Sequence, residues 1–278
     1  MKSKKRHLLL GMGAIILALS LAGFAAGGAG RTRSYFSAYR ASYEHAPALI
    51  RPYFAVADFF LNPVFETFGP FEPVWMQVEP GIRMQLDPYD MVSRKILETG
   101  SWEPQSVQAV ADHLSLNATF MDVGAHIGYY SLKAANLVGP NGHVISIEPN
   151  PQTLPKLRSN IEASDARMVS VWPVACAESE STLELYAAPG SNTGESSLSK
   201  ENASQEGAEF EVLKGAVKTL EEFRPVLIVE MVPNQLKSMG ASIEEVTRFL
   251  AAHGYTANRR VDGTNVEFVP RKTAARIQ

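Results

Sequence analysis

Apolar residues along this chain fall in short runs separated by amphipathic stretches of helix length. The runs near Thr119–Val123, His143–Ile147, Met168–Val174, Thr182–Tyr186, Val226–Met231 and Val266–Val269 are strand-like in length and rich in β-branched residues. Helical spacing marks the intervals near Ser106–Leu114, Tyr129–Leu137, Gln152–Ala163, Phe210–Phe223 and Ile243–His253. Gly139-Pro-Asn-Gly142 reads as a turn. Strands alternating with helices predict an α/β fold, a Rossmann-like, mostly parallel sheet with helices on both faces.

The N-terminal region has a different pattern. Lys2, Lys4, Lys5 and Arg6 precede an uncharged apolar run from Leu8 to Gly30. Its length suits a bilayer-spanning N-terminal transmembrane helix, since about twenty apolar residues cross a membrane. A cleaved secretory signal is the alternative, although its apolar region is usually shorter, roughly 7–15 residues. Residues 31–83 then form an aromatic-rich juxtamembrane extension, and 84–278 the α/β domain. Tyr35 to Trp75 holds nearly half of the chain's aromatic side chains, with Phe36, Tyr39 and Tyr43 at helical spacing and prolines at 47, 52, 63 and 70. These rings either pack on the domain, or form a collar at a membrane surface or a lid over an apolar or lipid-linked acceptor.

Charge and cysteine content narrow the function classes. The net charge is −3 and no basic run lies outside the N-terminus, so nucleic acid is not an expected partner. The single cysteine, Cys176, rules out an intramolecular disulfide and reads as a small packed residue. The histidines show no metal-ligand spacing, and no metal site is expected.

Chemistry concentrates at Phe120-Met-Asp-Val-Gly-Ala-His-Ile-Gly128 and at Val144-Ile-Ser-Ile-Glu-Pro149. A strand that runs into a glycine turn and a helix, with a second strand ending in a carboxylate, builds a nucleotide-type cofactor pocket. Gly124 permits a sharp turn, and Gly128 lets the following helix start close to the sheet with its free N–H groups facing a ligand. A dinucleotide fingerprint would carry a glycine where His126 stands, so a pyrophosphate is poorly served. Asp122 would also repel a diphosphate, but it suits the ammonium of a methionine moiety. Glu148 is placed to accept hydrogen bonds from both ribose hydroxyls. These features favour S-adenosylmethionine.

The run Asp122-Val-Gly-Ala-His-Ile-Gly-Tyr-Tyr-Ser131, with Ile147-Glu-Pro-Asn-Pro151, Asn160-Ile161, Glu206-Gly-Ala-Glu-Phe-Glu-Val-Leu-Lys-Gly215 and Gly100-Ser-Trp-Glu-Pro104, resembles the FkbM-type methyltransferases over roughly Met84 to Met231. The resemblance implies an S-adenosylmethionine-dependent enzyme that methylates a hydroxyl oxygen. Two positions depart from the family pattern. His126 replaces the usual Asn of the glycine turn. In addition, Ala188 to Gln205 is polar and reads as loop, where the family carries a buried central strand. The resemblance therefore implies a sheet lacking one central strand, or one in which Thr182–Ala187 fills the gap.

The expected site then comprises Asp122, Gly124, His126, Gly128, Tyr129 and Glu148 around the cofactor. Ser131 joins Tyr129 near the cofactor's carboxylate, while Trp102 and Glu103 close the pocket from its N-terminal side. Candidates for a general base are His126, Glu206, Glu209 and Glu230, with Glu209 preferred because the motif places it near the strand ends. The acceptor would be a hydroxyl on a glycan, lipid-linked or secondary-metabolite molecule. Arg31, Arg33 and Arg40 follow the apolar run and leave membrane orientation weakly determined by charge. The supply of S-adenosylmethionine argues for a cytoplasmic catalytic domain. A catalytically inactive, membrane-anchored binding protein is the alternative that a missing strand would favour.

Overall fold

The structure is a computed structural model, and it describes residues 19–21, 27–46, 48, 51, 54, 56, 70–179 and 208–271. The chain divides into two compact units after Trp102. In the first, helix α1 (Gly28–His45) stops just short of Pro47, and the hairpin β1 (Val74–Glu79) and β2 (Ile82–Leu86) pairs antiparallel. Helix α2 (Met91–Thr99) is capped by Asp90, whose carboxylate accepts the Ser93 N–H at 2.7 Å. Tyr35, Phe36 and Tyr39 on α1 are buried with Phe54 and Phe71, ring against ring. The described aromatics of the extension are thus mainly core. Phe59, Phe60, Phe65 and Phe68 lie outside the described residues.

Among the described residues no helix is long and apolar enough to cross a membrane. The apolar run from Leu8 to Gly30, read as an anchor, lies largely outside them.

The second unit begins with helix α3 (Pro104–His113), followed by β3 (Thr119–Val123), α4 (Tyr129–Val138), β4 (His143–Ile147), α5 (Leu154–Ala163) and β5 (Val169–Trp172). β3, β4 and β5 form a parallel sheet in that order, as the alternating pattern predicts. Leu154 and Leu157 of α5 pack on Ala125 and Val171.

Next come α6 (Glu209–Gly215), α7 (Val217–Glu222), β6 (Leu227–Glu230), α8 (Pro233–Ser238), α9 (Ile243–Ala252), β7 (Tyr255–Arg260) and β8 (Asn265–Pro270). The single helix expected over Phe210–Phe223 is two short ones divided at Ala216. The expected α/β fold with a parallel sheet is found in β3 to β5. Among the described residues the last three strands form a second sheet, ordered β6–β8–β7, in which β8 runs antiparallel to both neighbours. A tight turn through Asp262 joins β7 to β8, and such a connection can only produce antiparallel strands. Their core gathers Leu220, Val229, Val246, Leu250, Tyr255 and Phe268. Helix α9 is capped by Ser242, whose hydroxyl oxygen accepts the Glu245 N–H while that hydroxyl donates to the Glu245 carboxylate.

Among the described residues β3 pairs only with β4, and β6 only with β8. Met121 and Val123 of β3 are 48% and 44% exposed, unusual for a strand that opens a cofactor turn. The segments weighed for the central strand, Thr182–Ala187 and Ala188–Gln205, lie outside the described residues.

Candidate functional site

The turn after β3 is built from backbone conformations that few residues adopt. Gly124, His126 and Gly128 have φ of +81°, +49° and +89°. Left-handed backbone is cheap for glycine, and among other residues Asn, Asp and His tolerate it best. His126 therefore meets the same conformational demand as the Asn that the family carries there. The N–H groups of Gly124 and Ala125 both donate to the Ile147 carbonyl, at 2.9 and 3.0 Å, which ties the turn to the end of β4. A Cβ on Gly128 would sit 2.7 Å from Leu157 Cδ1, so this glycine lets α4 and α5 approach. A Cβ on Gly124 would meet nothing within 4 Å among the described residues. The space beside Gly124 is open, and Gly124 serves a different purpose from Gly128.

Glu148 follows β4 and is buried. Its Oε2 accepts the His126 N–H at 2.8 Å and its Oε1 the Asn150 N–H at 2.8 Å. Burial pushes its carboxyl above the usual range, and these two bonds oppose that shift. A carboxylate has about four lone-pair positions, so acceptor capacity remains on both oxygens. Asn150 also fixes the entry to α5, its side-chain oxygen accepting the Gln152 N–H at 2.8 Å.

Asp122 is buried at the end of β3 and turns toward α4. The Ser131 hydroxyl donates to its Oδ2 at 2.5 Å, and the Ser131 and Ser146 hydroxyls lie 2.6 Å apart. Burial raises Asp122 to about 6, opposed by the Ser131 hydroxyl and N–H and reinforced by the charge of Glu148. The expectation that Ser131 meets the cofactor's carboxylate is corrected by this contact, because its hydroxyl is fully buried and committed to Asp122. Tyr129 is buried as well, its ring edge-on to Tyr130. Helix α4 has no side-chain cap at Gly128, and its N-terminus begins at the turn.

Glu103 sits just before α3 at φ +40°, and its Oε2 accepts the Tyr130 hydroxyl at 2.7 Å. Burial raises the Glu103 carboxyl; the Tyr130 bond opposes the shift, and the charge of Asp262 adds to it. Asp262, in the β7–β8 turn, receives the Ser106 hydroxyl from α3 at 2.5 Å and the N–H groups of Thr264 and Asn265 at 2.8 and 2.7 Å. Burial pushes Asp262 up, but these donors together bring it down to about 2. Asn265 pairs in register with Glu230 at the end of β6.

Glu209 opens α6. One of its carboxylate oxygens is buried with no hydrogen-bond partner among the described residues. Burial raises the group to about 7, against its own backbone N–H and with a further push from the Glu230 charge. An orphaned, near-neutral carboxyl of this kind is costly in a merely structural role. Glu206, the neighbouring candidate, lies outside the described residues. Among the described residues no group of three or more His, Cys, Asp or Glu could hold a metal ion, and Cys176 is a partly buried free thiol.

Ser146, Tyr130, Asp262 and Asn265 were not singled out from the sequence. Ser146 had a visible signal, a polar residue inside the apolar strand Val144-Ile-Ser-Ile147.

A parallel sheet with a left-handed glycine turn after its first strand and a buried carboxylate after its second defines a class of nucleotide-type cofactor-binding proteins. Within that class the model of the methyltransferase FkbM domain matches residues 122–206 and 205–257, so this part of the chain is of the FkbM methyltransferase type. A protein-L-isoaspartate O-methyltransferase from Methanothrix thermoacetophila is 37% identical over 70 residues, 24% of this chain and 33% of that protein. An arsenite methyltransferase from Halobacterium salinarum is 34% identical over 73 residues, 26% of this chain and 18% of that protein. The chain thus spans a third or less of the length of these two curated relatives. Among solved structures, methyltransferase FkbM from Methylobacillus flagellatus superposes with a TM-score of 0.38 at 14% identity, covering 76% of this chain and 70% of that one. A SAM-dependent methyltransferase from Aquifex aeolicus gives 0.39 at 16% identity, covering 60% and 88%. Superpositions this loose add nothing to the topology described above.

Proposed function

We propose that this protein is an S-adenosylmethionine-dependent O-methyltransferase whose acceptor is a hydroxyl on a glycan, lipid-linked or secondary-metabolite molecule. The observation that carries the reading is the closure of the glycine turn by Glu148, beside the open space at Gly124. When bound, the cofactor supplies a methyl group already activated by its sulfonium. The remaining acceptor positions of Glu148 take the ribose hydroxyls. The backbone at Gly124 and His126 allows close approach, and the N-terminus of α4 presents the positive end of its dipole to a carboxylate. Asp122 takes the ammonium on the lone pairs that Ser131 leaves vacant. Glu103, held by Tyr130, flanks the pocket.

Glu209 acts as the general base in this reading. Its elevated carboxyl suits removal of a hydroxyl proton near neutral pH. Positioning of the acceptor supplies most of the remaining acceleration, on the order of 7–11 kcal/mol at best. We also propose that the apolar segment from Leu8 to Gly30 anchors the protein in a membrane with the catalytic domain on the cytoplasmic side. Fractionation of cells with and without residues 1–30 tests this; loss of the full-length protein to the soluble fraction would refute it.

Transfer of label from methyl-labelled S-adenosylmethionine to hydroxyl acceptors, by the wild type and Glu209→Gln, tests the reaction. Label in a base-labile ester or an amine, rather than an ether, would contradict O-methylation of a hydroxyl. The second reading is a binding protein without turnover, favoured by the single pairing of β3 among the described residues. It predicts cofactor binding that is indifferent to Glu209→Gln, with no label transferred.

A further inference from the structure

We propose that Ser131 and Ser146 are positioning residues, a buried hydroxyl relay that holds the Asp122 carboxylate ionised and aimed for the cofactor's ammonium. The inference rests on the assignment of Asp122 above and adds two residues that act only through it. Both serines are fully buried, Ser131 on α4 and Ser146 one residue from the end of β4. A hydroxyl has one proton to donate. That of Ser131 goes to Asp122 Oδ2 at 2.5 Å, so the proton in the 2.6 Å Ser131–Ser146 contact must come from Ser146. The relay therefore runs from Ser146 to Ser131 to Asp122, and each donation strengthens the next in a dry interior. The Ser131 N–H adds a further donor to the same carboxyl.

The direction of this relay depends on the charge of Asp122. An ionised carboxylate accepts from Ser131; a protonated one has a proton to place and competes with the Ser131 hydroxyl for the same contact. Removing a donor raises the carboxyl further, because burial and the facing charge of Glu148 already push it upward. Among the described residues the ionisable groups that face Asp122 are Glu148 beyond β4 and Tyr130 on α4, with Glu103 reaching it only through Tyr130. Neither Glu148 nor Glu103 can compensate for a lost donor, since both carry like charge.

The test is calorimetric titration of full-length wild type, Ser131→Ala, Ser146→Ala, Ser131→Thr and Asp122→Asn with S-adenosylmethionine between pH 5 and 8.5. Wild-type affinity should rise with pH to a midpoint near 6, where Asp122 ionises. Ser131→Ala should move that midpoint up by about one pH unit, with affinity down about twofold at pH 7, nearly tenfold at pH 5, and largely recovered at pH 8.5. Ser146→Ala should move it in the same direction by less, and Ser131→Thr, which keeps the hydroxyl, should restore it. A serine that only packs would lower affinity equally at every pH, and that result would overturn the relay. Midpoints unchanged in both alanine variants, with the pH dependence abolished in Asp122→Asn, would overturn it while leaving Asp122 in place. Wild type and Asp122→Asn alike at every pH would overturn the assignment of Asp122 and the relay with it.

Discussion

Glu148 accepts the backbone N–H of His126 at 2.8 Å, so the carboxylate that ends β4 closes the turn that follows β3. One side chain thereby shapes the glycine turn and offers its remaining lone pairs to a ligand. Glu148→Ala should cut S-adenosylmethionine affinity by at least tenfold. It should also lower stability by about 1–3 kcal/mol, because it leaves the His126 and Asn150 N–H groups without their acceptor. Calorimetry and chemical denaturation of the same samples separate the two effects.

The two glycines of the turn should respond differently to alanine. Gly128→Ala combines φ +89° with a Cβ 2.7 Å from Leu157 Cδ1, and should cost about 2–4 kcal/mol from strain and crowding together. Gly124→Ala carries only the strain of φ +81°, about 1–2 kcal/mol, since its Cβ meets no atom within 4 Å among the described residues. Its larger effect should be on cofactor affinity, because the methyl group occupies the open space. Equal losses of affinity in the two variants would contradict this division.

His126 has φ +49°, so its replacement by Asn or Gly should leave stability within about 0.5 kcal/mol. His126→Val should destabilise by about 1–3 kcal/mol, because a β-branched residue is strained in that conformation. Thermal melts of the three variants provide the comparison.

The four raised carboxyls make stability depend on pH in an unusual direction. Asp122 and Glu209 rise to about 6 and about 7, and Glu148 and Glu103 shift the same way. Each binds its proton more tightly folded than unfolded. Their contribution is therefore complete below about pH 4 and is lost as pH rises through the folded values. Asp262 works oppositely, its contribution being present above about pH 4 and lost as pH falls through about 2. Between pH 4 and 7 the ligand-free protein should lose a few kcal/mol, on the order of 1.4 kcal/mol per unit for each raised group. Urea denaturation at pH 4.5 and 7.5 reads this directly, and saturating S-adenosylmethionine should flatten the trend. A protein more stable at 7.5 without ligand would contradict it.

Glu209→Gln should leave cofactor affinity unchanged and lower methyl transfer by roughly 10²–10⁴-fold. In the wild type the rate should increase with pH through about 7, as the carboxyl gives up its proton. A variant with full activity would move the base elsewhere.

Much of this was legible in the sequence where short-range pattern and chemistry coincide. The strands β3 and β4, the helix α4 and the carboxylate Glu148 follow from apolar runs, two glycines and a strand-end acid. β7 escaped detection because only Tyr255 of its six residues is buried; Thr256 to Arg260 is exposed and mostly polar, and tertiary pairing with β8 makes it a strand. The reversed β8 follows from that missed neighbour. The Ser131–Ser146 contact joins residues that local periodicity does not connect. The raised carboxyl of Glu209 depends on burial, to which the sequence near Glu209 gives no guide.

The most direct measurement is calorimetric titration of the full-length protein and its Glu148→Ala variant with S-adenosylmethionine and its demethylated product, with NAD as control. The account predicts binding in the micromolar range to both methionine compounds, no binding of NAD, and loss of both in Glu148→Ala. Folded wild type that binds neither compound, or Glu148→Ala that binds as tightly as wild type, would contradict it.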